Sequence, residues 1–323
     1  MNVTNSHVNS HLQRAVLETA ALTKRFGDIT AVDGLTLNIL EGEVFGLLGP
    51  NGPGKSTTIN LICGLLKPDA GRIRLYGEEV QAGSDVVKKR VGVCPQEIVI
   101  WPKLTCLEQL EFIGTMYGLR RRNARESGIR LLDDLGLGDK RNRQAATLSG
   151  GMKRRLNLAL ALVHDPDVVV LDEPEAGLDP QSRVLVREYI RAMARRKTVL
   201  FTTHNMDEAD RVCDRVAIID HGALLTLDTP EHLKRTAGGG SVLEILIGPE
   251  SNADAALAEL AGLGFQAVRV GPTLVIRAGD IVAAIPAALT CLKTHNVPVL
   301  EVKLRENTLE DVFIALTGRR LRE

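Results

Sequence analysis

A glycine-rich stretch that ends in lysine and serine carries the clearest chemistry in the sequence. It spans Gly49–Ser56, reads GPNGPGKS and fits the pattern GxxxxGK[ST]. Glycines let the backbone approach phosphate oxygens closely, so that its N–H groups point at the anion. In such a loop the lysine reaches the β- and γ-phosphates, and the serine hydroxyl ligates Mg²⁺. The stretch therefore predicts a site for a nucleoside triphosphate and magnesium.

An acidic pair forms the second candidate site. Asp172 and Glu173 directly follow the apolar run Val168–Leu171, which is typical of a buried parallel strand. Ligands of open parallel sheets bind at the carboxyl ends of the strands. An aspartate there can hold Mg²⁺, and the next carboxylate can polarise an attacking water. The alternative, a solvated acidic turn, is disfavoured by the phosphate-binding pattern upstream.

Short apolar runs and longer amphipathic stretches alternate through the part of the chain that positions these residues. Val44–Leu48 precedes the glycine-rich turn, an amphipathic stretch begins at Lys55, and Thr198–Thr202 is a further apolar run. Strand-helix-strand order predicts an α/β fold with a largely parallel sheet, here of the P-loop NTPase class. The Leu-, Arg- and Glu-rich stretch from Leu104 predicts an inserted helical subdomain at about 104–160.

The composition limits the remaining choices. The 323 residues carry 40 Lys+Arg against 40 Asp+Glu, so charge alone gives no support for nucleic-acid binding. The five cysteines are scattered without a CxxC pair, which disfavours a disulfide framework or a zinc site and is typical of core-filling thiols in a reducing cytosol. The N-terminus does not resemble a signal peptide, and no apolar run approaches the ~18 residues of a spanning helix. We therefore expect any transport role to need a membrane partner.

A second pattern follows the flexible break Gly238–Gly240. Apolar and helical segments alternate in the order β-α-β-β-α-β and end in a helix near 307–317, which predicts a small ferredoxin-like α+β domain. The expected organisation is a disordered tail at 1–15, a nucleotide-binding domain at 16–236 and an accessory domain at 241–323. The accessory domain contains no catalytic constellation, and His295 reads as an isolated surface residue. By exclusion, we expect a regulatory or dimer-stabilising module.

Several short motifs stand in one order along the chain. Leu148–Met152, LSGGM, resembles the signature LSGGQ of ATP-binding cassette (ABC) proteins, with Met in place of Gln. The chain resembles that family from about Leu17 to Leu233. The other motifs that carry the resemblance are the phosphate loop, Gln96 in CPQE, Asp172-Glu173-Pro174, Gly177-Leu178-Asp179 and His204 in TTH.

The resemblance implies a head-to-tail dimer, homomeric or heteromeric, with two ATP molecules sandwiched between subunits. Glu173 is then the general base, His204 senses the γ-phosphate, and Gln96 reaches Mg²⁺, the attacking water and the membrane partner. Lys55 completes the catalytic set, and Ser56, Gln96 and Asp172 are the metal-binding residues. Nucleotide contacts are implied for Phe26 (on adenine), Gly49, Pro50, Asn51, Gly52, Gly54, Lys55, Ser56, Thr57, Ser149, Gly150, Gly151 and Asp179, the signature residues and Asp179 acting across the dimer.

The tail indicates a branch of the family. Asn205–Asp210 (NMDEAD), Asp220–Gly222 (DHG) and Leu309–Gly318 (LEDVFIALTG) resemble the cassettes of daunorubicin-resistance and nodulation exporters. Such cassettes hydrolyse ATP at the cytoplasmic face of the cell membrane and energise a separate permease subunit. The alternatives are a soluble ABC ATPase acting on nucleic acid or ribosomes, and an ATP-dependent switch with weak hydrolysis. A single cassette without a sustained heptad run disfavours the first, and Glu173 disfavours the second.

Two positions depart from the family pattern. Pro53 has no backbone N–H, so a phosphate donor is lost if that amide normally contacts phosphate. Glu175 follows Pro174 where the family usually has Thr or Ser. Its carboxylate either repels the γ-phosphate or bridges the dimer, or else it is a solvated surface charge.

Overall fold

The computed structural model describes residues 14–50, 52–194, 196–236, 241–248, 253–278 and 281–318. The chain divides into two compact units, Met1–Leu227 and Asp228–Glu323. The predicted break Gly238–Gly240 and most of the predicted tail lie outside the described residues, although the first strand already begins at Ala15. No helix among the described residues combines the length and the apolar character needed to cross a bilayer.

The first unit contains ten strands and seven α-helices within the described residues. The strands are β1 (Ala15–Phe26), β2 (Ile29–Leu40), β3 (Val44–Leu48), β4 (Ala70–Leu75), β5 (Glu78–Glu79), β6 (Val91–Cys94), β7 (Val168–Asp172), β8 (Thr198–Thr203), β9 (Arg215–Asp220) and β10 (Ala223–Asp228). The helices are α1 (Pro53–Ile62), α2 (Asp85–Arg90), α3 (Cys106–Met116), α4 (Arg121–Asp134), α5 (Gly150–Leu162), α6 (Pro180–Ala194) and α7 (Met206–Val212).

Two sheets build the core of this unit. One is antiparallel, with the strand order β2-β1-β4-β5, and the other has the order β10-β9-β3-β8-β7-β6. In the second sheet β3 pairs in parallel with β8 and β9, and β7 pairs in parallel with β6 and β8. The predicted α/β fold with a largely parallel sheet is confirmed.

Burial explains why the central strands are apolar along their whole length. Every residue of β3, β7 and β8 is buried, as expected for strands covered on both faces. Gly46 of β3 allows especially close packing, because a Cβ there would lie 2.8 Å from Cys213 Sγ. Since these strands run parallel, the residues that follow Leu48, Leu171 and Thr203 meet at one edge of the sheet.

The stretch between β6 and β7 is helical, as the sequence predicts. A capping box fixes the start of α3, where Thr105 Oγ1 accepts from Glu108 N and Glu108 accepts from Thr105 N. Glycines let α3 and α4 approach closely, because a Cβ on Gly114 would lie 2.7 Å from Ala124 Cβ. Helix α5 then leads directly into β7.

The second unit is an antiparallel sheet with helices. Its strands lie in the order β12-β13-β11-β14, and the predicted succession β-α-β-β-α-β is observed. The ferredoxin-like assignment and the predicted domain boundary at 236–241 stay predictions; α8 lies in this unit, where Asn307 Nδ2 donates to Lys234 O at 2.8 Å. The elements are α8 (Pro230–Thr236), β11 (Ser241–Ile247), α9 (Asp254–Gly262), β12 (Gln266–Val270), β13 (Thr273–Arg277), α10 (Ile281–Thr294), β14 (Val299–Glu306) and α11 (Leu309–Thr317).

The structure tests two predictions about single residues, the cysteines and His295. All five cysteines are buried, as predicted for core-filling thiols. The prediction that His295 is isolated is wrong, because His295 Nε2 lies 2.6 Å from Glu259 Oε2. The pair joins the end of α10 to α9, a contact between helices that sequence spacing does not reveal.

Candidate active site

The glycine-rich loop joins β3 to α1 at the carboxyl edge of the parallel sheet. Gly49 packs so closely on β9 that a Cβ there would clash with Ile219 O, and Gly54 lies beside Ala31 O. Gly52 precedes α1 and Pro53 is its first residue, a position where a missing N–H costs no helical hydrogen bond. Asn51 lies outside the described residues. The loop has the strand-loop-helix context predicted from the sequence.

Lys55 turns back into this loop. Its side chain is buried, and Nζ donates to Gly49 O at 2.8 Å and to Pro50 O at 2.7 Å. Burial lowers the pKa of Lys55, while the nearby carboxylates of Glu173 and Asp172 oppose that shift. The ammonium group is therefore held inside the loop beside the carboxyl edge of the sheet.

Oxygen donors from three elements meet next to the lysine. Ser56 Oγ, on α1, donates to Asp172 Oδ2 at 3.4 Å. Thr202 Oγ1, on β8, donates to Asp172 Oδ1 at 2.5 Å and so orients the carboxylate. A hydroxyl and a carboxylate oxygen are ligands of the kind that Mg²⁺ takes, so this donor set is suited to a magnesium ion.

Glu173 is held from both sides by the residues predicted to act with it. Its Oε1 lies 2.9 Å from His204 Nδ1, and its Oε2 accepts from Gln96 Nε2 at 3.2 Å. Glu173 itself is buried, whereas Gln96 and His204 are exposed. The structure thus brings together three residues that lie far apart in the sequence, at the ends of β6, β7 and β8.

The backbone of Glu173 is in an unusual conformation. Its φ is +47°, in the left-handed region that residues with a Cβ seldom adopt. The backbone N–H is satisfied, because it donates to Thr202 O at 3.1 Å and approaches Thr202 Oγ1 at 3.2 Å. Strained backbone of this kind is concentrated at functional sites, and here it directs the carboxylate toward Gln96 and His204.

Arg154 is a residue of the site that the sequence analysis missed. It lies on α5 and is 2% exposed. Its guanidinium donates to Pro95 O at 2.8 Å and Gln96 O at 2.7 Å on one loop. On the other loop it donates to Asp172 O at 2.8 Å, Pro174 O at 3.1 Å and Glu173 O. One side chain thus ties the Gln96 loop to the acidic loop.

The sequence offers only a weak sign of this role. Arg154 stands in the run Lys153-Arg154-Arg155, which reads as a solvated basic patch. On a helix, however, positions 154, 158 and 161 share one face, and Leu158 and Ala161 are buried core residues. Ala159 and Leu162, which share a face with Arg155, are buried apolar residues too, so the helical period does not distinguish Arg154 from Arg155.

The signature residues lie at the start of α5. Ser149 is the N-cap, and its Oγ accepts from Met152 N at 3.3 Å. A Cβ on Gly151 would lie 3.1 Å from Ser182 Oγ and 3.3 Å from Asp179 Oδ2, whereas a Cβ on Gly150 would meet no described atom within 4 Å. Gly151 is therefore closely packed on Asp179, whereas Gly150 has an open side.

Asp179 and Phe26 complete the set of predicted contact residues. Asp179 accepts from Ser182 N at 2.9 Å and from Ser182 Oγ at 2.7 Å, and these bonds lower its pKa. Phe26 ends β1 and is 46% exposed, with Lys24 Nζ 5.6 Å from the ring centroid. Its ring is available for stacking.

Glu175 is buried, which excludes one of its three alternatives, the solvated surface charge. Burial, followed by the charge of Glu208, raises its pKa to about 7, although Arg187 and Arg183 oppose the shift. Arg187 is itself engaged with Glu208 through two bonds of 2.9 and 3.0 Å. Glu175 and Glu173 line one cavity of about 220 Å³, so the unusual carboxyl group lies beside the site.

The amino-acid sequence is similar to those of known ATP-binding proteins. The family model described as "ABC transporter" matches residues 32–176. The chain is 41% identical to the daunorubicin/doxorubicin resistance ATP-binding protein DrrA of Streptomyces peucetius, over 96% of this chain and 94% of that protein. It is 40% identical to the Nod factor export ATP-binding protein I of Ralstonia nicotianae, over 95% of each.

Solved structures resemble the larger part of the chain. One is a dimeric, post-hydrolysis ATP-binding cassette bound to ADP and phosphate, with a TM-score of 0.61 and 25% identity, covering 66% of this chain and 98% of that one. Another is a Clostridium perfringens subunit of a transporter complex, with a TM-score of 0.63 and 26% identity, covering 69% and 91%.

Proposed function

The chain belongs to the ABC transporter family of ATP-binding proteins, and from that premise we propose how its residues bind and hydrolyse ATP to energise an exporter. The observation that carries the proposal is the position of Glu173. Its carboxylate is held by Gln96 and His204, one residue after the Asp172–Ser56 pair and near the ammonium of Lys55. A base, an oxygen donor set and a phosphate loop therefore share one edge of the sheet.

The phosphate loop binds the triphosphate. Lys55 exchanges its contacts with Gly49 O and Pro50 O for phosphate oxygens, and the N-terminus of α1 adds its positive dipole. Ser56 and Asp172 hold Mg²⁺, which when bound neutralises charge on the phosphates. Thr202 keeps the carboxylate of Asp172 turned toward Ser56.

Glu173 orients the attacking water and accepts its proton. Gln96 and His204 fix the direction of the carboxylate through its two oxygens, which preorganises the base before the nucleotide arrives. As the water attacks, His204 is free to turn toward the negative charge that develops on the γ-phosphate. Arg154 acts as a positioning residue, because it sets the distance between the loops that carry Gln96 and Glu173.

A second subunit completes the site. The first turn of α5 has Ser149 at its cap and an open side at Gly150, a combination suited to an anion held by another molecule. We infer that this turn contacts the γ-phosphate of the ATP bound by the second subunit. Each nucleotide then has contacts on both sides, so ATP binds the closed dimer better than the open one.

Exposed apolar side chains that follow Gln96 and that lie on α3 support a membrane partner. Ile98 and Val99 follow Gln96 and are 42% and 54% exposed, and Phe112 and Met116 of α3 are 46% and 68% exposed. Exposed apolar groups of this size are typical of interaction surfaces. We infer that the separate permease subunit binds here, at the cytoplasmic face of the membrane, where movement of the Gln96 loop can reach it.

The test replaces the base. Purified wild type should release phosphate from ATP only with Mg²⁺, whereas Glu173→Gln should retain ATP and accumulate as a closed dimer in gel filtration. Removal of a positioned general base costs about 10²–10⁴-fold in rate. Glu188→Gln, an equally conservative change at an exposed carboxylate of α6, serves as the control. Normal hydrolysis by Glu173→Gln would show that the assigned base is wrong.

A second measurement separates the transporter from the alternatives. Co-purification of the chain with a membrane protein of several helices, and stimulation of its ATPase by that protein, support the exporter role. Co-purification with nucleic acid or ribosomes instead favours the soluble ATPase. ATP binding without measurable phosphate release in the wild type favours the switch.

A further inference from the structure

Three side chains of mixed chemistry meet between α9 and α10, in the second unit. They are Glu259 on α9 and Cys291 and His295 at the end of α10. Their carboxylate oxygen, sulfur and ring nitrogen all lie within 4.8 Å of one another. Among the residues that the structure describes, no other three acidic, cysteine or histidine side chains meet so closely.

Helix geometry brings the donors to one point. Cys291 and His295 are four residues apart and therefore lie on one face of α10. That face is turned toward α9, because Cys291 Sγ lies 3.5 Å from Ala256 O, one turn before Glu259. Glu259 Oε2 in turn lies 2.6 Å from His295 Nε2. Two neighbouring helices thus supply one side of the cluster each.

The three groups differ in burial, and this difference is suited to the binding of a cation. Cys291 is 2% exposed, so its sulfur is fixed by the core. The side chains of His295 and Glu259 are 28% and 46% exposed and can adjust their rotamers from the solvent side. A cation can therefore reach the buried sulfur between two adjustable ligands, and water can fill a fourth position.

We propose that Glu259, Cys291 and His295 form a zinc-binding site that joins α9 to α10. Thiolate and imidazole ligands favour Zn²⁺ over Mg²⁺ or Ca²⁺, which take oxygen ligands. Tetrahedral coordination at ordinary bond lengths places ligand atoms about 3.3–3.6 Å apart. The Glu259–His295 pair has only to open by roughly 1 Å to reach that spacing, and the thiol proton is released to solvent as the metal binds.

The absence of a CxxC pair explains why the sequence argued against zinc. Ligands on two helices joined by a hairpin of strands need no short spacing, since the fold supplies the proximity. An ion pair beside a core thiol, with no metal bound, is the competing explanation.

The test uses cobalt as a spectroscopic substitute for zinc on the full chain, first freed of metal with a chelator and kept without nucleotide. We expect one equivalent of Co²⁺ to give a thiolate-to-cobalt charge-transfer band that Zn²⁺ abolishes by displacement. Glu259→Gln and His295→Gln should each weaken Co²⁺ binding at least about 10-fold, and Cys291→Ser should remove the band.

The controls separate this cluster from the other cysteines. Cys63→Ser should keep the band, although Cys63 lies near Asp172 of the ATP site, where Co²⁺ can also bind. Because Cys291 is buried and its variant can unfold, the two exposed variants decide the question independently. No thiolate band in the wild type, a band indifferent to Glu259→Gln and His295→Gln, or a band lost in Cys63→Ser would overturn the proposal.

Discussion

Arg154 offers the sharpest perturbation of the ATP site. Its guanidinium serves five carbonyl oxygens on two loops. Arg154→Lys keeps the charge but offers only three donors from one atom, which cannot span both loops. At least two charge-assisted hydrogen bonds are therefore lost, at about 1.5–3 kcal/mol each. The total comes to about 3–6 kcal/mol, divided between global stability and displacement of Glu173.

The division between these two effects can be measured. If only about 1.4 kcal/mol raises the barrier, kcat falls about 10-fold. The affinity for ATP should change less than about 3-fold, which corresponds to ~0.7 kcal/mol, because Arg154 donates its hydrogen bonds to the Gln96 loop and the acidic loop and not to Gly49–Ser56. The assay combines single-turnover phosphate release, equilibrium nucleotide binding and urea unfolding.

Arg155 provides the matched control. It is the next residue on α5, and its guanidinium donates to Leu135 O at 2.7 Å and Gly136 O at 3.3 Å, away from both loops. Arg155→Lys should cost stability but leave kcat unchanged. Wild-type turnover in Arg154→Lys, or equal losses of kcat in both variants, would refute the positioning role.

Three further predictions follow from the site. Relative to the wild type, Glu175→Gln should become more stable as the pH rises from about 4.5 to 7, by about 3 kcal/mol in total. The reason is that the pKa of Glu175, raised to about 7, makes deprotonation of the folded wild type unfavourable. A stability difference that does not grow with pH in urea titrations would contradict this. Gly49→Ala should destabilise by about 1–3 kcal/mol through the clash with Ile219 O, whereas Gly52→Ala, with open space around it, should unfold like the wild type in the same calorimetry. Pro53→Ala should tighten ATP binding or raise turnover, and equal affinity and rate in a paired titration would show that this amide does not contact phosphate.

The order of the strands and helices could be predicted, because each of these elements depends on residues that are neighbours in the sequence. Val44–Leu48 and Val168–Leu171 are apolar throughout, and the structure places them in the buried sheet. The same runs predicted that Lys55, Asp172 and Glu173 meet, since parallel strands bring their carboxyl ends to one edge. Local patterning therefore sufficed for the parallel sheet and for the central part of the site, whereas the antiparallel sheet β2-β1-β4-β5 was not predicted.

Features that depend on atoms far away in the sequence could not be predicted. The partners of Arg154 are carbonyl groups, which every residue possesses, so no side-chain pattern marks them. The raised pKa of Glu175 depends on its burial and on the charges of Glu208, Arg187 and Arg183 from two helices. The Glu259–His295 contact depends on how α9 and α10 pack. In each case tertiary packing decides the environment of a residue whose neighbours in the sequence suggest exposure.

The left-handed backbone at Glu173 lowers the stability of the folded state, although it places the carboxylate for its chemical role. A residue with a Cβ gives up about 1–2 kcal/mol in that conformation, which glycine adopts freely, and the φ of +47° belongs to the very residue that bears the carboxylate. Glu173→Gly should therefore yield a more robust protein that no longer turns over ATP.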